Sequence, residues 1–442
     1  MLVLNPEQQA AVDGILGHVR NPESSYFTVK GGGGVGKSTS VFTAIKEIVE
    51  VEGLRVLLAA PTHKAVNVLR AMSEEQGIDV NLATLASALG LRALPEEAQM
   101  KFVKGDTSKM QDYDVLVVDE CSQIGEKSLI MLLEEATRYN VILIFMGDNC
   151  QLFPVKSFVS PVFEGGTSAT LTKVMRYTGD ILVLATEMRK IIAPEDYGLP
   201  LDLSKKKINI RQMCRDLFPN GSETIDIIRS LDIIENTLPY VNPDDIDAST
   251  IACWTNDCAD DYNNRIHAHI HREMADYITG MYYHGDVVLP QDPVMNRQAI
   301  VYPIDAELVV QSVETGTYDL LNRGSVMIDY FIMKVRHAQT QVPHTINVVA
   351  EHHIDLYKQA IKEIAGMCRN RELYWSDFWT INNFFTPVKR PFARTTHKAQ
   401  GSTYRTTTVD AFNINECPQV ALHNRMIYTA ITRAADRLIV GV

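Results

Sequence analysis

A glycine-rich stretch near the N-terminus has the composition and spacing of a phosphate-binding loop. Residues 31–38 read GGGGVGKS, which matches the pattern G-x-x-x-x-G-K-[ST] between a predicted strand and a predicted helix. Glycines let backbone N–H groups surround phosphate, while Lys37 would reach the β- and γ-phosphates and the Ser38 hydroxyl would bind Mg²⁺. This strand–loop–helix context disfavours a chance match. The residues predicted to contact the nucleotide are Gly33, Gly34, Val35, Gly36, Lys37, Ser38 and Thr39.

Two acids follow the apolar run Val115–Val118 and could complete a site for nucleotide hydrolysis. Asp119, at the carboxyl end of the predicted strand, would hold Mg²⁺, and Glu120 would polarise the attacking water. In isolation such acids could simply be a solvated strand end. Beside the phosphate-binding loop they indicate hydrolysis of the nucleotide rather than binding alone.

A third polar segment, GDNCQ at residues 147–151, follows the predicted strand Val141–Met146. Gln151, at a strand end beside a γ-phosphate, could sense it through both amide groups. A polar turn would be the better interpretation if this were the only signal in the sequence. Together with the loop and the acids, the segment predicts that Gln151 takes part in catalysis.

The segments that would position these residues alternate between strand-length apolar runs and helical patterns, which predicts an α/β fold with a parallel sheet. A second α/β unit is predicted after Arg176, interrupted by a small β-rich insertion. Strand-length runs lie at Tyr26–Val29, Val56–Ala60, Val115–Val118, Val141–Met146, Ile251–Trp254 and Thr407–Phe412. Within the insertion we predict strands at Asp286–Leu289, Ala306–Val313, Val326–Val335 and Thr345–Ala350, a turn at Asn322–Gly324 and a helix at Ile354–Met367.

The length of 442 residues predicts two or more domains. The net charge of −12 argues weakly against binding to nucleic acid, because non-specific affinity comes largely from Lys and Arg. An acidic chain can nevertheless carry a basic channel. No apolar run is long enough to span a bilayer and the N-terminus lacks the features of a secretory signal, so a cytoplasmic protein is expected.

The seven cysteines are scattered and include no C-x-x-C pair, which predicts free thiols rather than a zinc site or disulfides. His267, His269, His271 and nearby His284 suggest a metal site, but no acid or thiol in the sequence convincingly completes the ligand set. We therefore expect these residues to be surface or packing histidines.

The order of these motifs resembles that of superfamily-one helicases, in the RecD/Dda-like branch. Residues 4–8, LNPEQ, resemble the family's adenine-reading motif, with Gln8 in the key position. Residues 59–65, AAPTHKA, resemble a motif that grips the DNA backbone, and residues 147–155, GDNCQLFPV, resemble the motif that links phosphate sensing to DNA. Residues 171–176, LTKVMR, resemble a segment that ends in an arginine directed at the γ-phosphate.

Two further motifs near the C-terminus resemble parts of the second motor domain of this family. Residues 396–403, THKAQGST, resemble its DNA-contacting motif. Residues 428–434, YTAITRA, resemble the last motif, whose arginine is a second arginine finger directed at the γ-phosphate. The resemblance implies that Arg176 and Arg433 stabilise charge on the transferring phosphoryl group and that Gly401 contacts the nucleotide. A surface salt bridge, the usual role of an arginine, is disfavoured by these multi-residue matches.

The resemblance also implies which residues contact DNA. Phe102 falls where relatives carry an aromatic wedge on a hairpin, and packing on neighbouring residues is the alternative. Trp254 could stack on a base, although core packing is the default for tryptophan. The segment Trp375–Trp379 is expected to brace the β-rich insertion against the hairpin. Relatives often have a histidine where this chain has Ala86. The predicted DNA-binding residues are Pro61, Thr62, His63, Thr84, Phe102, Trp254, Asn256, Asn263, Thr396, His397 and Lys398.

The fold implied by the resemblance is α/β, with two RecA-like P-loop motor domains that contain parallel sheets. A small hairpin insertion is expected in the first motor domain, and an SH3-like β-rich insertion with a helical extension in the second. The expected domains are 1A at residues 1–83 and 113–177, 1B at 84–112, 2A at 178–284 and 388–442, and 2B at 285–387.

The function implied by the resemblance is that of an ATP- and Mg²⁺-dependent DNA helicase that travels 5′-to-3′ on single-stranded DNA and unwinds forked duplexes. The expected setting is phage DNA replication or recombination in the bacterial cytoplasm. We expect a monomeric enzyme. Its expected protein partners are a single-stranded-DNA-binding protein or other replication proteins, and no association with a membrane is expected. The alternatives are a translocase that strips proteins from single strands, a P-loop kinase acting on a small molecule, and a non-catalytic DNA-binding scaffold.

Overall fold

The structure is a computed structural model, and its described part comprises two α/β lobes and a β-rich insertion. Arg176, the first predicted arginine finger, and the predicted turn Asn322–Gly324 lie outside the described residues. The described residues are 4–105, 107–154, 160–174, 179–274, 278, 280–296, 299–320 and 326–442, with the backbone alone for 93–95, 99, 100, 296 and 299.

The first lobe alternates strands and helices. Its strands are β1 (Phe27–Gly31), β2 (Val56–Ala60), β3 (Asn81–Thr84), β4 (Leu91–Glu96), β5 (Gln99–Lys104), β6 (Val115–Val118), β7 (Ile142–Gly147) and β8 (Thr167–Leu171). Its helices are α1 (Pro6–Arg20), α2 (Lys37–Glu50), α3 (His63–Gln76), α4 (Leu85–Ala88) and α5 (Glu126–Tyr139). Six strands form a parallel sheet in the order β3-β2-β6-β7-β1-β8, and β4 pairs with β5 in a separate antiparallel hairpin.

The strand predictions for this lobe are confirmed. β2 and β6 have the predicted bounds, while β1 and β7 begin one residue later than predicted. Every residue of β2 and β6 is buried, as expected for parallel strands covered by helices on both faces. Because β6 and β7 are adjacent and β1 follows, the carboxyl ends of these three strands bring the predicted catalytic motifs to one edge of the sheet.

The second lobe and its insertion follow. Their strands are β9 (Ile225–Ile228), β10 (Ser249–Cys253), β11 (Val287–Pro290), β12 (Val294–Asn296), β13 (Ala299–Tyr302), β14 (Leu308–Asp319), β15 (Met327–His337), β16 (Pro343–Val349), β17 (Val388–Lys389), β18 (Ala393–Thr395), β19 (Tyr404–Asp410) and β20 (Ala434–Gly441). Their helices are α6 (Asp180–Ile192), α7 (Ile210–Leu217), α8 (Ile233–Thr237), α9 (Asn256–Ile270), α10 (Ile354–Arg369), α11 (Trp375–Asn382), α12 (Thr396–Ala399), α13 (Ala411–Asn415) and α14 (Val420–Ile431).

The second lobe has its own parallel sheet, in the order β18-β10-β19-β20-β9, which confirms a second α/β unit. The predicted strand Thr407–Phe412 is wrong at its end, because β19 stops at Asp410. The Asp410 carboxylate accepts the backbone N–H of Asn413 at 3.0 Å and so caps α13. None of the described helices combines the length and apolar character needed to cross a bilayer.

The β-rich insertion contains an antiparallel sheet in the order β16-β15-β14-β11-β17. The predicted strand Ala306–Val313 is too short, since β14 continues to Asp319 by pairing with β15 along its length. Helices α10 and α11 pack beside the far end of the β14–β15 pair, in an aromatic cluster that contains Phe378 and Phe385. The insertion is therefore a sheet with a helical extension.

Candidate active site

The phosphate-binding loop leaves β1 and enters α2, as the motif predicts. Gly34 and Gly36 have φ values of +74° and +86°, a left-handed conformation that glycine adopts readily. The Lys37 ammonium donates hydrogen bonds to the carbonyls of Gly31 at 2.7 Å and Gly32 at 2.8 Å. Burial lowers the pKa of Lys37, and nearby carboxylates oppose that shift. The loop therefore curls around its own lysine.

Asp119 and Glu120 follow β6 directly, at the edge of the sheet where the phosphate-binding loop lies. Glu120 has a φ of +52°, which is unusual for a residue with a side chain, and its backbone N–H donates to the Asp119 carboxylate at 2.7 Å. Burial, followed by repulsion from Glu120, raises the pKa of Asp119 to about 7. Burial also raises the pKa of Glu120. Additional positive charge would be needed to keep both carboxylates ionised.

The donor set at this edge fits Mg²⁺. The Ser38 hydroxyl and the Asp119 carboxylate are hard oxygen ligands of the kind that Mg²⁺ prefers. A divalent cation would also supply the positive charge that the adjacent half-buried carboxylates of Asp119 and Glu120 require. When bound with a nucleotide, the ion would neutralise charge on the phosphates.

Arg433 belongs to the second lobe, and its charge acts on Glu120 of the first. Its guanidinium donates to the carbonyls of Thr429 and Ser402, both at 3.1 Å, and only 7% of the residue is exposed. Burial raises the pKa of Glu120, whereas the charges of Arg433 and Lys37 lower it. Residues near the two ends of the sequence therefore act on one carboxylate at the seam between the lobes.

Gln400 connects the two lobes across this seam. Its amide nitrogen donates to the Ser122 hydroxyl at 3.2 Å, and to the Gln151 side-chain oxygen and the Leu152 carbonyl, both at 3.3 Å. The backbone N–H of Leu152 also donates to the Thr429 hydroxyl at 3.2 Å. Gln151, the predicted γ-phosphate sensor, is thus bonded directly to the second lobe.

The loop after β7 enters the core of the second lobe. Cys150 and Leu152 are fully buried and belong to one hydrophobic cluster with Met188 of α6 and Met426 of α14. The Arg425 guanidinium donates to the Gln151 carbonyl at 3.0 Å and so holds the loop from the other side. A displacement at the phosphate edge of the first sheet therefore has a direct route to the second lobe.

Arg189 of α6, which was not predicted from the sequence, lies against the phosphate-binding loop. Arg189 is 3% exposed, forms an ion pair with Asp148 and donates to the Asn149 side chain at 3.0 Å. The Tyr428 hydroxyl donates to the other oxygen of Asp148 at 2.7 Å. A Cβ atom on Gly32 would lie 2.9 Å from the Arg189 side chain, so the contact with the loop is close. Arg189 and Tyr428 thus clamp an acid of the first lobe.

A signal for Arg189 was present in the sequence. Leu184, Ala185 and Met188 share the buried face of α6, and Arg189 follows Ala185 by one helical turn. An arginine on an apolar helix face requires an acidic partner. The position of Asp148 on another strand end was not predictable from the spacing within α6.

Gln8 and Gly401 were predicted to contact the nucleotide. The Gln8 side chain is buried; its oxygen accepts the backbone N–H of Asn5 at 3.0 Å, and its nitrogen donates to the Val35 carbonyl at 3.2 Å. In this structure Gln8 therefore ties α1 to the phosphate-binding loop, and a contact with adenine would require one of these bonds to be replaced. Gly401 has a φ of +80° and turns the chain between Gln400 and β19.

The predicted DNA-binding residues fall into three groups by exposure. Thr62, His63, Phe102, Asn256 and Lys398 are exposed. Half-buried positions are occupied by Pro61, Thr84, Trp254 and His397. Thr62 and Thr84 accept backbone N–H groups at the starts of α3 and α4, both at 3.2 Å, so each hydroxyl also caps a helix.

The predictions that Asn263 and Thr396 contact DNA are wrong in this conformation, since both residues are buried. The Asn263 amide donates to the Ala393 carbonyl and accepts the Ala393 N–H, both at 2.9 Å, which joins α9 to β18. The Thr396 hydroxyl donates to the Cys253 carbonyl at 3.1 Å. Motif resemblance identified positions beside the surface, but these two side chains point into the protein.

The hairpin β4–β5 stands between the first lobe and the helical extension. Phe102 is 63% exposed on β5, and Lys104 at its base forms an ion pair with a glutamate of α5. Near the tip, Ala98 packs against the aromatic cluster that includes Trp375 and Trp379. The hairpin therefore packs against the cluster to which the segment Trp375–Trp379 belongs, and the bracing role of that segment stays a prediction.

Comparison with known proteins gives matches in both lobes. A family described as AAA domain matches residues 3–191, and one described as UvrD-like helicase C-terminal domain matches residues 392–440. The ATP-dependent DNA helicase dda of Enterobacteria phage T4 is 25% identical over 453 residues, which cover 92% of each chain. An uncharacterized protein of Acanthamoeba polyphaga mimivirus is 22% identical over 512 residues, which cover 99% of each chain.

Two solved structures also align with the chain. The Pif1 helicase from Bacteroides, in complex with ADP-AlF3 and ssDNA, aligns over 100% of this chain and 93% of its own, with a TM-score of 0.49 and 14% identity. The Pif1 helicase from Candida albicans aligns over 100% of this chain and 95% of its own, with a TM-score of 0.41 and 16% identity.

Proposed function

This chain is a superfamily-one helicase of the Dda-like branch, and from that premise we propose that it uses ATP to move along single-stranded DNA and separate duplexes. The observation that carries the proposal is that a cation of each lobe, Lys37 and Arg433, acts electrostatically on the one carboxylate of Glu120. A hydrolysis site that is complete only when two lobes meet can convert the state of the nucleotide into movement.

The hydrolytic roles follow from the contacts at the seam. Lys37 exchanges its bonds to the loop carbonyls for the β- and γ-phosphates, because an ammonium shielded from solvent binds anions strongly. Glu120 orients and deprotonates the attacking water. Arg433, held by the backbone of the second lobe, stabilises the charge that develops on the transferred phosphoryl group. ATP and Mg²⁺ are the proposed cofactors.

Coupling between hydrolysis and movement is assigned to Gln151 and Gln400. The Gln151 side-chain oxygen accepts from Gln400, and its amide nitrogen is the group that can donate to the γ-phosphate. One side chain would therefore contact both the bound ATP and the second lobe. The ligand drives closure only because its γ-phosphate interacts differently with the open and closed arrangements.

The proposed track crosses both lobes. His63 with Thr62 in the first lobe, and Lys398 with His397 in the second, alternate in holding the DNA backbone, which gives contacts independent of sequence. We propose 5′-to-3′ travel, a monomeric enzyme, a role in phage replication or recombination, and encounters there with a single-stranded-DNA-binding protein. These proposals rest on the resemblance to the Dda-like branch.

A fork assay tests the function and its direction. We expect single-stranded DNA to stimulate ATP hydrolysis and forks with a 5′ loading tail to be unwound, whereas duplexes with only a 3′ tail should remain paired. Strand displacement and phosphate release are measured on the same preparation. Removal of streptavidin from single strands without any unwinding would favour the protein-stripping translocase, and DNA-independent phosphorylation of a metabolite would favour the kinase.

Phe102 provides a separate test of strand separation. Stacking of a base on an aromatic ring contributes about 1–3 kcal/mol, so Phe102→Ala should lower the base pairs unwound per ATP by about 10-fold while DNA-stimulated hydrolysis stays unchanged. Phe102→Trp should retain unwinding. Lys101→Ala, which alters the neighbouring exposed side chain on the same strand, is the matched control. Equal unwinding per ATP in Phe102→Ala and wild type would remove Phe102 from this role.

A further inference from the structure

Two histidines of α9 and an aspartate from the following segment meet at the base of the β-rich insertion. His267 and His271 are one helical turn apart, so they share a helix face. The two oxygens of Asp286, just before β11, are shared between them: Oδ2 lies 2.9 Å from His267 Nε2, and Oδ1 lies 2.9 Å from His271 Nε2. The expectation that no acid completes a histidine ligand set is therefore wrong, because the fold supplies Asp286.

The cluster is enclosed and its members are oriented by neighbouring groups. The side chains of His267, Asp286 and His271 are 2%, 10% and 16% exposed. The Tyr283 ring lies over the His271 ring with 4.9 Å between centroids, and the Tyr283 backbone N–H donates to Asp286 Oδ2 at 2.8 Å. Outer contacts of this kind fix the direction of metal ligands.

We propose that His267, His271 and Asp286 form a binding site for a divalent transition-metal ion, with Zn²⁺ as the best fit. Each residue offers one ligand atom, and the three atoms lie within 4.8 Å of one another. Two imidazoles and a carboxylate form a ligand set that Zn²⁺ uses in tetrahedral sites whose fourth position is open to water. Imidazole ligands favour zinc-like ions over Mg²⁺ and Ca²⁺, which prefer oxygen.

The position of the site links the insertion to the motor. α9 packs on β10 and β18 of the second lobe, whereas Asp286 leads into β11 of the insertion. Beside the cluster, Arg390 of the returning chain donates to the Asn264 side chain and to the Met281 carbonyl, both at 2.9 Å. A bound ion would attach the start of the insertion, at Asp286, to α9. Arg390 already attaches the end of the insertion to the same helix.

A second cluster of similar composition provides an internal control. Asp329, His352 and His353 also bring ligand atoms within 4.8 Å of one another. The side chains of Asp329 and His352 are 48% and 66% exposed, and His353 Nδ1 accepts the backbone N–H of Asp329 at 2.8 Å. This cluster is open to solvent and one of its imidazole nitrogens is already used, so we expect it to bind metal weakly.

The test is titration of the full-length, nucleotide-free protein with Zn²⁺ in competition with a chromophoric chelator, and with Co²⁺ followed by visible absorption. We expect one ion per chain and the intense bands of tetrahedral Co²⁺. Loss of an outer contact alone weakens metal sites by about 10–100-fold, so His271→Ala should lower the Zn²⁺ affinity by about 100-fold or more. His352→Ala should bind as wild type does.

Asp286→Asn keeps the shape of the carboxylate but removes its charge. This variant replaces His271→Ala in the titration if His271→Ala is poorly folded. It should bind Zn²⁺ more weakly than wild type and lack the tetrahedral Co²⁺ bands. The proposal is overturned if the wild type binds no ion stoichiometrically, or if both variants bind Zn²⁺ as tightly as wild type. The two histidines would then serve only as hydrogen-bond donors to Asp286.

Discussion

Arg433→Ala should reduce the DNA-stimulated turnover of ATP by about 10³-fold or more, the effect of removing an arginine that stabilises a phosphoryl transition state. The expected loss is in kcat, because the guanidinium acts on charge that develops during the reaction rather than on the bound nucleotide. Steady-state phosphate release measures kcat, and a fluorescent ATP analogue measures binding, which should change by less than about 10-fold.

The controls for Arg433 separate chemistry from folding. Arg437→Ala, on β20, removes a nearby guanidinium that pairs with Asp226 at 2.6 Å away from the seam, and turnover should be unchanged. Arg433→Lys keeps the charge but loses the planar fork, so it should remain strongly impaired. A folded Arg433→Ala enzyme with more than one-tenth of the wild-type turnover would contradict the assignment of a two-lobe catalytic site.

Lys37→Ala should abolish measurable hydrolysis, with a loss in kcat/KM of at least about 10²–10³-fold, the usual effect of removing one preorganised group that binds developing charge. Both binding and turnover should suffer, since the ammonium faces phosphate in the ground state and in the transition state. Unwinding and DNA-stimulated phosphate release should disappear together, while binding to single-stranded DNA without nucleotide should persist.

The matched control is Lys46→Ala, on the same helix. Lys46 is half-exposed and pairs loosely with Glu50 at 3.8 Å, so its removal should leave hydrolysis and stability nearly unchanged. Burial already disfavours the charged form of Lys37. Its loss should therefore not unfold the lobe, which urea unfolding can verify. Substantial ATP hydrolysis by a well-folded Lys37→Ala protein would argue for a different nucleotide site.

The architecture was predictable wherever a local pattern determines it. The buried strands β2 and β6 were predictable, because continuous apolar runs of strand length between helical segments favour a parallel sheet. The end of β19 was missed since Ala411 and Phe412 are apolar, and only the cap provided by Asp410 shows that they begin a helix. The full length of β14 depends on its pairing with β15, a contact that the sequence does not display.

The residues of the candidate site also divide into those that a local motif predicts and those whose partners lie elsewhere in the chain. Phosphate chemistry requires contiguous motifs, so motif spacing alone was enough to predict roles for Lys37 and Glu120. Arg189 and the carboxylate of Asp286 obtain their partners from distant segments, and neither was predicted. Asn263 shows the opposite error, because a motif position says nothing about the direction in which a side chain points.

The burial of Cys150 and Leu152 inside the second lobe has a consequence for fragments of this protein. Truncation after the first sheet would leave both side chains in water and a matching hole among the helices of the other half. The topology suggests two self-contained folding units, yet the second lobe needs a loop of the first to complete its core. Because Cys150 and Leu152 are buried in the second lobe, we expect the two lobes to stay in contact at this loop when their relative orientation changes.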